Sequence, residues 1–150
     1  MINKNDIFTV EITDQDELGQ GIGKVDGFPL FVRHGIMGDI AKICVTKVKK
    51  TYGYGRILEL EKASPARIEP PCSVYKRCGG CQLQPMNYEA QLSFKQKRVE
   101  ECLRRIGGCE DPVIEQVIGS ELVFRYRNKA QYPVGTDKNG DPVCITAIRI

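Results

Sequence analysis

GIGKVDGFPLFVR, residues 21–33, holds two short runs, GIGKV and FPLFVR, on either side of Asp26-Gly27. An Asp-Gly pair between apolar runs signals a tight hairpin, because both central residues of such a turn take positive φ. Upstream, DIFTVEI alternates through Ile7, Phe8, Val10 and Ile12. Downstream, DIAKICVTKVKK alternates imperfectly through Ile40, Ile43, Val45 and Val48, and GYGRILEL follows. Short strands punctuated by glycine predict a small β-barrel up to about Leu60. Gly19, Gly21 and Gly23 do not make a dinucleotide loop, since Lys24 and Asp26 fall where a third glycine would have to stand.

Beyond the barrel, EKASPARIEPP reads as a linker, because Pro65, Pro70 and Pro71 interrupt regular structure. A helix is expected from Asn87, its candidate N-cap, to about Ile106, with Tyr88, Leu92, Val99, Leu103 and Ile106 as the apolar stripe and Gly107-Gly108 as the stop. PVIEQVIGS, FRYRNKAQYPVGT and DPVCITAIRI read as strands, the last two joined by a hairpin at DKNGD. The fold class is therefore mainly β with some α: a barrel, a cysteine segment with one helix, and the start of an α/β domain. The domains fall at residues 1–62, 63–86 and 87–150.

The net charge of +3 is modest, but it is unevenly placed. Lys42, Lys47, Lys49, Lys50 and Arg56 follow one another with no Asp or Glu between Lys42 and Arg56, and Tyr52 and Tyr54 are interleaved. Cations that track phosphates, beside rings that stack on bases, are the pattern of an RNA face. Arg125, Arg127 and Lys129 alternate, would share one face of a strand, and are expected as further RNA-binding residues, with ordinary surface as the alternative. Lys95, Lys97, Arg98, Arg104 and Arg105 read as a solvated helix face, His34 as a turn or surface residue, and Cys44 and Cys102 as core. No run is long enough for a membrane span, and MINKNDIFTVEITDQ has no apolar stretch of a secretory signal, so a cytoplasmic, monomeric chain is expected, with no membrane or DNA partner.

Seven cysteines cannot all pair within the chain. Three are grouped, Cys72, Cys78 and Cys81, in the spacing C-x5-C-x2-C with Gly79-Gly80 between the last two. Thiolates at such spacing suit zinc or an iron–sulfur cluster, and Gly79-Gly80 clears side chains from the turn. Either metal centre wants a fourth ligand, for which Cys44, Cys102, Cys109 and Cys144 are the candidates.

The segment PPCSVYKRCGGCQLQPMNYEAQLSFKQKRVEECLRRIGG resembles the iron–sulfur segment of the bacterial RNA uridine C5-methyltransferases. The matching residues are Cys72, Cys78-Gly79-Gly80-Cys81, Leu83-Gln84, Tyr88, Gln91-Leu92 and Phe94-Lys95. GQGIGKVDGFPLFVRHGIMGDIAKICVTKVKKTYGYGRILEL is similar to the TRAM domain, an oligonucleotide-binding-type barrel for RNA, and FRYRNKAQYPV to a strand of the family's central domain. The resemblance implies a 4Fe-4S cluster on Cys72, Cys78 and Cys81, ribosomal RNA as partner, and S-adenosylmethionine as methyl donor. It places the fourth cluster cysteine beyond residue 150. The cofactor domain, the nucleophilic cysteine and the glutamate base have no counterpart here, so no catalytic residue is assigned and a truncated chain is expected. The alternative is a stand-alone, non-catalytic RNA-binding protein stapled by zinc or a cluster. Radical methylthiotransferases of transfer RNA, with C-x3-C-x2-C and a C-terminal TRAM domain, disagree in spacing and order. A ferredoxin-like carrier is disfavoured by an incomplete cluster beside a basic barrel.

Overall fold

A computed structural model describes residues 2–78, 80–126, 128–129 and 132–144, without the side chains of Arg77, Cys78 and Cys144. The expected strands form: β1 (Ile7–Gln15), β2 (Gly21–Val25), β3 (Phe28–Arg33), β4 (Ile40–Val48) and β5 (Gly53–Lys62). They close into a barrel in the order β1-β2-β3-β5-β4, antiparallel except for the β3–β5 pair. Asp26 and Gly27 take φ of 50° and 80°, as the tight β2–β3 turn requires.

The period-two pattern sorts each strand into an inner and an outer row. Val10, Ile12, Leu30, Val32, Ala41, Ile43 and Val45 point inward and form the core. Each of the larger aliphatic side chains contributes about 1.5–3 kcal/mol by its burial. Cys44 lies between two inward residues and so belongs to the outer row. It is half-buried there and in register with Ile7 and Arg56, which corrects its expected place in the core.

The segment after β5 is not a free linker. Asp39 is fully buried, and its carboxylate needs partners that water cannot supply. Oδ2 accepts from the Ile36 N–H at 2.7 Å, and Oδ1 accepts from the Ser64 N–H at 2.9 Å and from Arg67 Nε at 3.0 Å. Arg67 Nη2 also donates to Oδ2, which completes a bidentate pair, and donates to the His34 carbonyl at 2.7 Å. His34 is the turn residue expected, at φ 64°. Proline stops regular structure at Pro65, but Ser64 and Arg67 pin the chain to the barrel. Burial alone would push the Asp39 carboxyl up; the Arg67 guanidinium and the two backbone donors outweigh it and hold the carboxyl below its ordinary value.

From Arg67 the anchoring continues. Arg67 bridges Met86, Ile68 N–H donates to the Pro85 carbonyl at 2.8 Å, and Asn87 N–H donates to the Ala66 carbonyl at 2.8 Å. Gln15 Nε2 reaches Met86 Sδ at 3.7 Å. Asn87 then caps α2 (after the short α1, Tyr75–Cys78), its Oδ1 accepting from the Ala90 N–H at 2.9 Å. Helix α2 runs Tyr88–Glu101 and continues as a π-helical turn, Cys102–Ile106. Gly107 N–H closes that turn on the Cys102 carbonyl, and Gly108 takes φ 65°.

The chain divides into two units, residues 1–69 with 82–91, and residues 70–81 with 92–150. In the second unit the structure departs from the sequence pattern. No residue of α2 or its π-helical extension is buried; Val99 and Ile106 of the expected stripe are 50% and 84% exposed, and Cys102 is half-buried instead of core. PVIEQVIGS forms no strand. Within FRYRNKAQYPVGT the described residues form only β6 (Val134–Thr136), which pairs with β7 (Pro142–Cys144). The hairpin at DKNGD is as expected, with Asp137 Oδ1 accepting from the Asn139 and Asp141 N–H groups. Alternation reports what a strand would bury; the ladder also needs a partner edge, and Val113 and Ile118 stand 95% and 96% exposed.

The Asp39–Arg67 pair makes a stability prediction. Asp39→Ala leaves Arg67 and two backbone donors without their acceptor, and the unfolding free energy should fall by about 3–5 kcal/mol in urea titrations. A midpoint equal to that of the unsubstituted chain would show that the pair does not hold this unit together. Because the folded carboxyl is depressed, its contribution is complete above about pH 4 and is lost as the pH falls through the lower folded value.

Candidate nucleic-acid interface

Four neighbouring strands, β2, β3, β5 and β4, set the outer face of the barrel. In register, Ile22 lies beside Phe31, Phe31 beside Tyr54, and Tyr54 beside Lys47. Two residues along the same face, Arg33 lies beside Arg56, and Arg56 beside Cys44. The parallel β3–β5 pairing joins Phe31 and Arg33, from the β2–β3 hairpin, to Tyr54 and Arg56 from the β4–β5 hairpin.

The rings touch. Phe31 and Tyr52 meet edge to face at 5.5 Å, Tyr52 and Tyr54 at 5.6 Å, and Phe31 and Tyr54 lie tilted at 5.9 Å. Each such contact adds about 0.5–1.5 kcal/mol beyond area burial, yet all three rings stay half-exposed. Gly53 lies between the two tyrosines and holds β5 against the core: a Cβ there would stand 2.8 Å from Leu30 Cδ2 and 3.0 Å from the Lys47 carbonyl oxygen. Lys49 N–H donates to the Tyr52 carbonyl at 2.8 Å, which closes the β4–β5 hairpin and leaves Lys49 and Lys50 exposed at its tip.

The Tyr54 O–H donates to Tyr52, and this bond, then the neighbouring Tyr52 charge, partial burial and the Asp16 carboxylate, push the Tyr54 phenol up from its ordinary value. The Tyr54 hydroxyl therefore stays protonated near neutral pH. The Asp16 carboxylate is occupied by its own loop, accepting from the Leu18 and Gln20 N–H groups and from Gln20 Nε2.

The structure brings together Lys47, Tyr52, Tyr54 and Arg56, with Lys49 and Lys50 on the adjoining turn. Lys42 stands apart, in register with Thr9 and Glu59, and Thr9 Oγ1 donates to Glu61 Oε1 at 2.8 Å, so that part of the barrel is of mixed charge. Arg125 sits in a bend at φ 61° and Lys129 outside any strand; Arg127 lies outside the described residues, and no strand face carries them together. On the helix, Lys97–Glu101, Arg104–Glu100 and Arg105–Glu101 form i,i+4 pairs, as a solvated face does. Phe31 and Arg33 share this face, and the charge run does not reveal them. Their signal was the alternation of FPLFVR, which places both opposite to Leu30 and Val32.

Cys72 is a half-buried free thiol and Cys81 an exposed one; the side chain of Cys78 and Gly79 lie outside the described residues, as does the side chain of Cys144. The Tyr75 N–H donates to the Cys72 carbonyl at 3.0 Å, which starts α1. The donors are soft thiols, the right chemistry for a zinc or iron–sulfur centre. Among the described residues no three His, Cys, Asp or Glu side chains gather as a metal site.

The TRAM domain family matches residues 3–58, the span of the closed barrel up to the middle of β5. Residues 3–58 are a TRAM domain. Outside it the likeness continues. The chain is 49% identical over 139 residues to a Halalkalibacterium halodurans protein named as an uncharacterized RNA methyltransferase, covering 93% of this chain and 30% of that protein. A Clostridium tetani protein of the same description is 43% identical over 137 residues, covering 91% of this chain and 30% of the relative. The chain thus spans about 30% of the length of these relatives. Among solved structures, a Pyrococcus abyssi tRNA (uracil-54, C5)-methyltransferase in complex with S-adenosyl-L-homocysteine covers 67% of this chain and 21% of its own length at 31% identity, with a TM-score of 0.41, too low to carry a fold or a ligand across. Among the described residues of the TRAM-containing chain, no helix is long and apolar enough to cross a membrane.

The tyrosine pair is testable by titration. In Tyr52→Phe the Tyr54 phenol loses its hydrogen-bonding neighbour and should ionise at lower pH, closer to the ordinary value, in tyrosinate absorbance at alkaline pH. An unchanged curve would show that the hydroxyls do not interact. The sign for stability follows: the pair's contribution is present below the unfolded phenol value and is lost as the pH rises through the raised folded one.

Proposed function

We propose that this chain is the RNA-binding part of an S-adenosylmethionine-dependent RNA methyltransferase that acts on C5 of uridine, with ribosomal RNA as its substrate. The observation that carries the RNA contact is the outer barrel face, where Lys47, Arg56 and the hairpin-tip Lys49 and Lys50 adjoin the Tyr52–Tyr54 rings. The relatives' description as RNA methyltransferases supports the reaction class. The uridine C5 position and the ribosomal substrate rest on the likeness of the cysteine segment to that family. In this reading residues 1–62 bind RNA, residues 63–86 carry the cysteines, and residues 87–150 begin a central domain; the methyl donor, nucleophile and base belong to no residue described here.

Cys72, Cys78 and Cys81 would hold a 4Fe-4S cluster. What supports this is the C-x5-C-x2-C spacing and the free thiols of Cys72 and Cys81. When bound, the cluster would supply a cross-link for the loop that carries α1. Anaerobic reconstitution followed by iron and sulfide analysis tests the assignment: Cys81→Ser should lose both, whereas stoichiometric zinc without sulfide would replace the cluster with a zinc staple.

RNA contact is tested by salt. Each single-strand phosphate contact contributes about −0.7 to the log–log slope of affinity against salt. Replacing Lys47, Lys49 and Lys50 by Ala should therefore flatten the slope for a single-stranded RNA by up to about 2. An unchanged slope and affinity would return these lysines to ordinary solvated surface.

A further inference from the structure

The Arg33–Arg56 pair has no structural explanation in the barrel. The two residues lie directly opposite in the parallel β3–β5 register, both exposed, and neither forms an ion pair among the described residues. Like charges directly opposite on one sheet face are destabilising. An anion between them reverses the sign of that interaction. One step along the same face stands the ring corner. Tyr52 is nearly perpendicular to both Phe31 and Tyr54, at 84° and 80°, while those two are inclined to each other by only 40°. A planar group laid on the Phe31–Tyr54 side meets the Tyr52 ring as a wall. Such a corner accommodates one flat ring and interrupts a continuous stack.

The two features are about 7 Å apart along the strands, at roughly 3.3 Å per residue. The acidic side chains near the corner lie on its other side: Asp14 is in register with Ile22, one strand beyond Phe31, and Asp16 is held in the β1–β2 loop. Phosphates are thus drawn to the Arg33, Arg56 and Lys47 side. We infer that this face is a clamp for a single unpaired nucleotide of RNA, with its phosphate between Arg33 and Arg56 and its base in the Phe31–Tyr52–Tyr54 corner. The inference rests on the RNA-binding reading above and deepens it: the substrate at this site is a single strand, since duplex bases present no free ring face, and Phe31 and Arg33 join the contact residues.

The test measures binding of the 150-residue chain to three fluorescent probes of equal length at fixed salt: oligouridylate, a blunt RNA duplex, and an abasic phosphodiester strand. Oligouridylate should bind more tightly than either of the others, and it should quench the chain's tyrosine fluorescence where the abasic strand does not. Tyr54→Leu and, independently, Phe31→Leu should weaken oligouridylate binding by about 5- to 150-fold with the salt slope unchanged. Arg33→Ala should flatten the slope by about 0.7. The abasic-strand and quenching measurements need no substitution, so a variant that misfolds does not leave the clamp undecided. Equal affinity for oligouridylate and the abasic strand, or aromatic variants that fold and bind like the unsubstituted chain, would overturn the clamp. If the lysine substitutions at 47, 49 and 50 still weaken binding in that case, RNA contact by the barrel stands and the clamp alone falls. No binding of any probe at low salt would overturn both.

Discussion

A carboxylate taken fully out of water has to be matched or it unfolds the structure around it. Asp39 is matched by Arg67 and by two backbone donors, and the match determines more than local geometry. Asp39 backbone groups also bond outside the carboxylate: its carbonyl accepts from Ile12 N–H and its own N–H donates to the Ile36 carbonyl. One residue thereby joins β1, the turn before β4 and the segment after β5. Through Arg67, Ile68 and their partners Met86 and Pro85, the same anchoring reaches Asn87, whose side chain caps α2. The barrel and the start of the helix form one unit for this reason, although the chain leaves that unit for residues 70–81 in between.

The barrel's topology does for the surface what Asp39 does for the interior. Phe31 and Tyr54 are far apart in sequence and come from different hairpins. The parallel β3–β5 neighbours bring them into contact, and the absence of a side chain at Gly53 lets β5 lie close enough for the rings to meet. The chemistry that results combines cations with half-exposed rings, which is what a flexible, charged, aromatic polymer requires of its binder.

The second unit obeys different physics. Its apolar residues are largely exposed, among them Val113, Ile118, Leu122 and Val134, and its described secondary structure beyond α2 with its π-helical turn is the four-residue α1 and one small hairpin. The i,i+4 ion pairs support the helix locally, each by only about 0.3–0.5 kcal/mol. The cysteine loop belongs to this unit, where the proposed cross-link would count for more than it would beside a filled core.

Local rules set a large part of this structure. Asp26-Gly27 fixed a turn because few other residues tolerate two positive φ angles in succession, Asn87 fixed a helix start because its side chain can accept from the first free N–H groups, and Asp137 to Asp141 fixed a hairpin. Period two in β1, β3 and β4 named the core. These signals act over a few residues, so they can be read in order along the chain. Other features depended on partners distant in sequence. Arg67 looked like part of a proline-rich linker until Asp39 claimed it. Cys44 looked like core until its neighbours Ile43 and Val45 took the inward positions. Lys42 shared a charge run with Lys47, yet pairing set it beside Glu59. PVIEQVIGS has the composition of a strand but pairs with no strand among the described residues. Phe31 and Arg33 gained their candidate role only when β3 was laid parallel to β5. Turns and caps are decided by the backbone's own steric and hydrogen-bonding preferences, which the sequence carries locally; ion pairing, strand pairing and surface clustering are decided by which residues closure of the barrel brings within reach of each other.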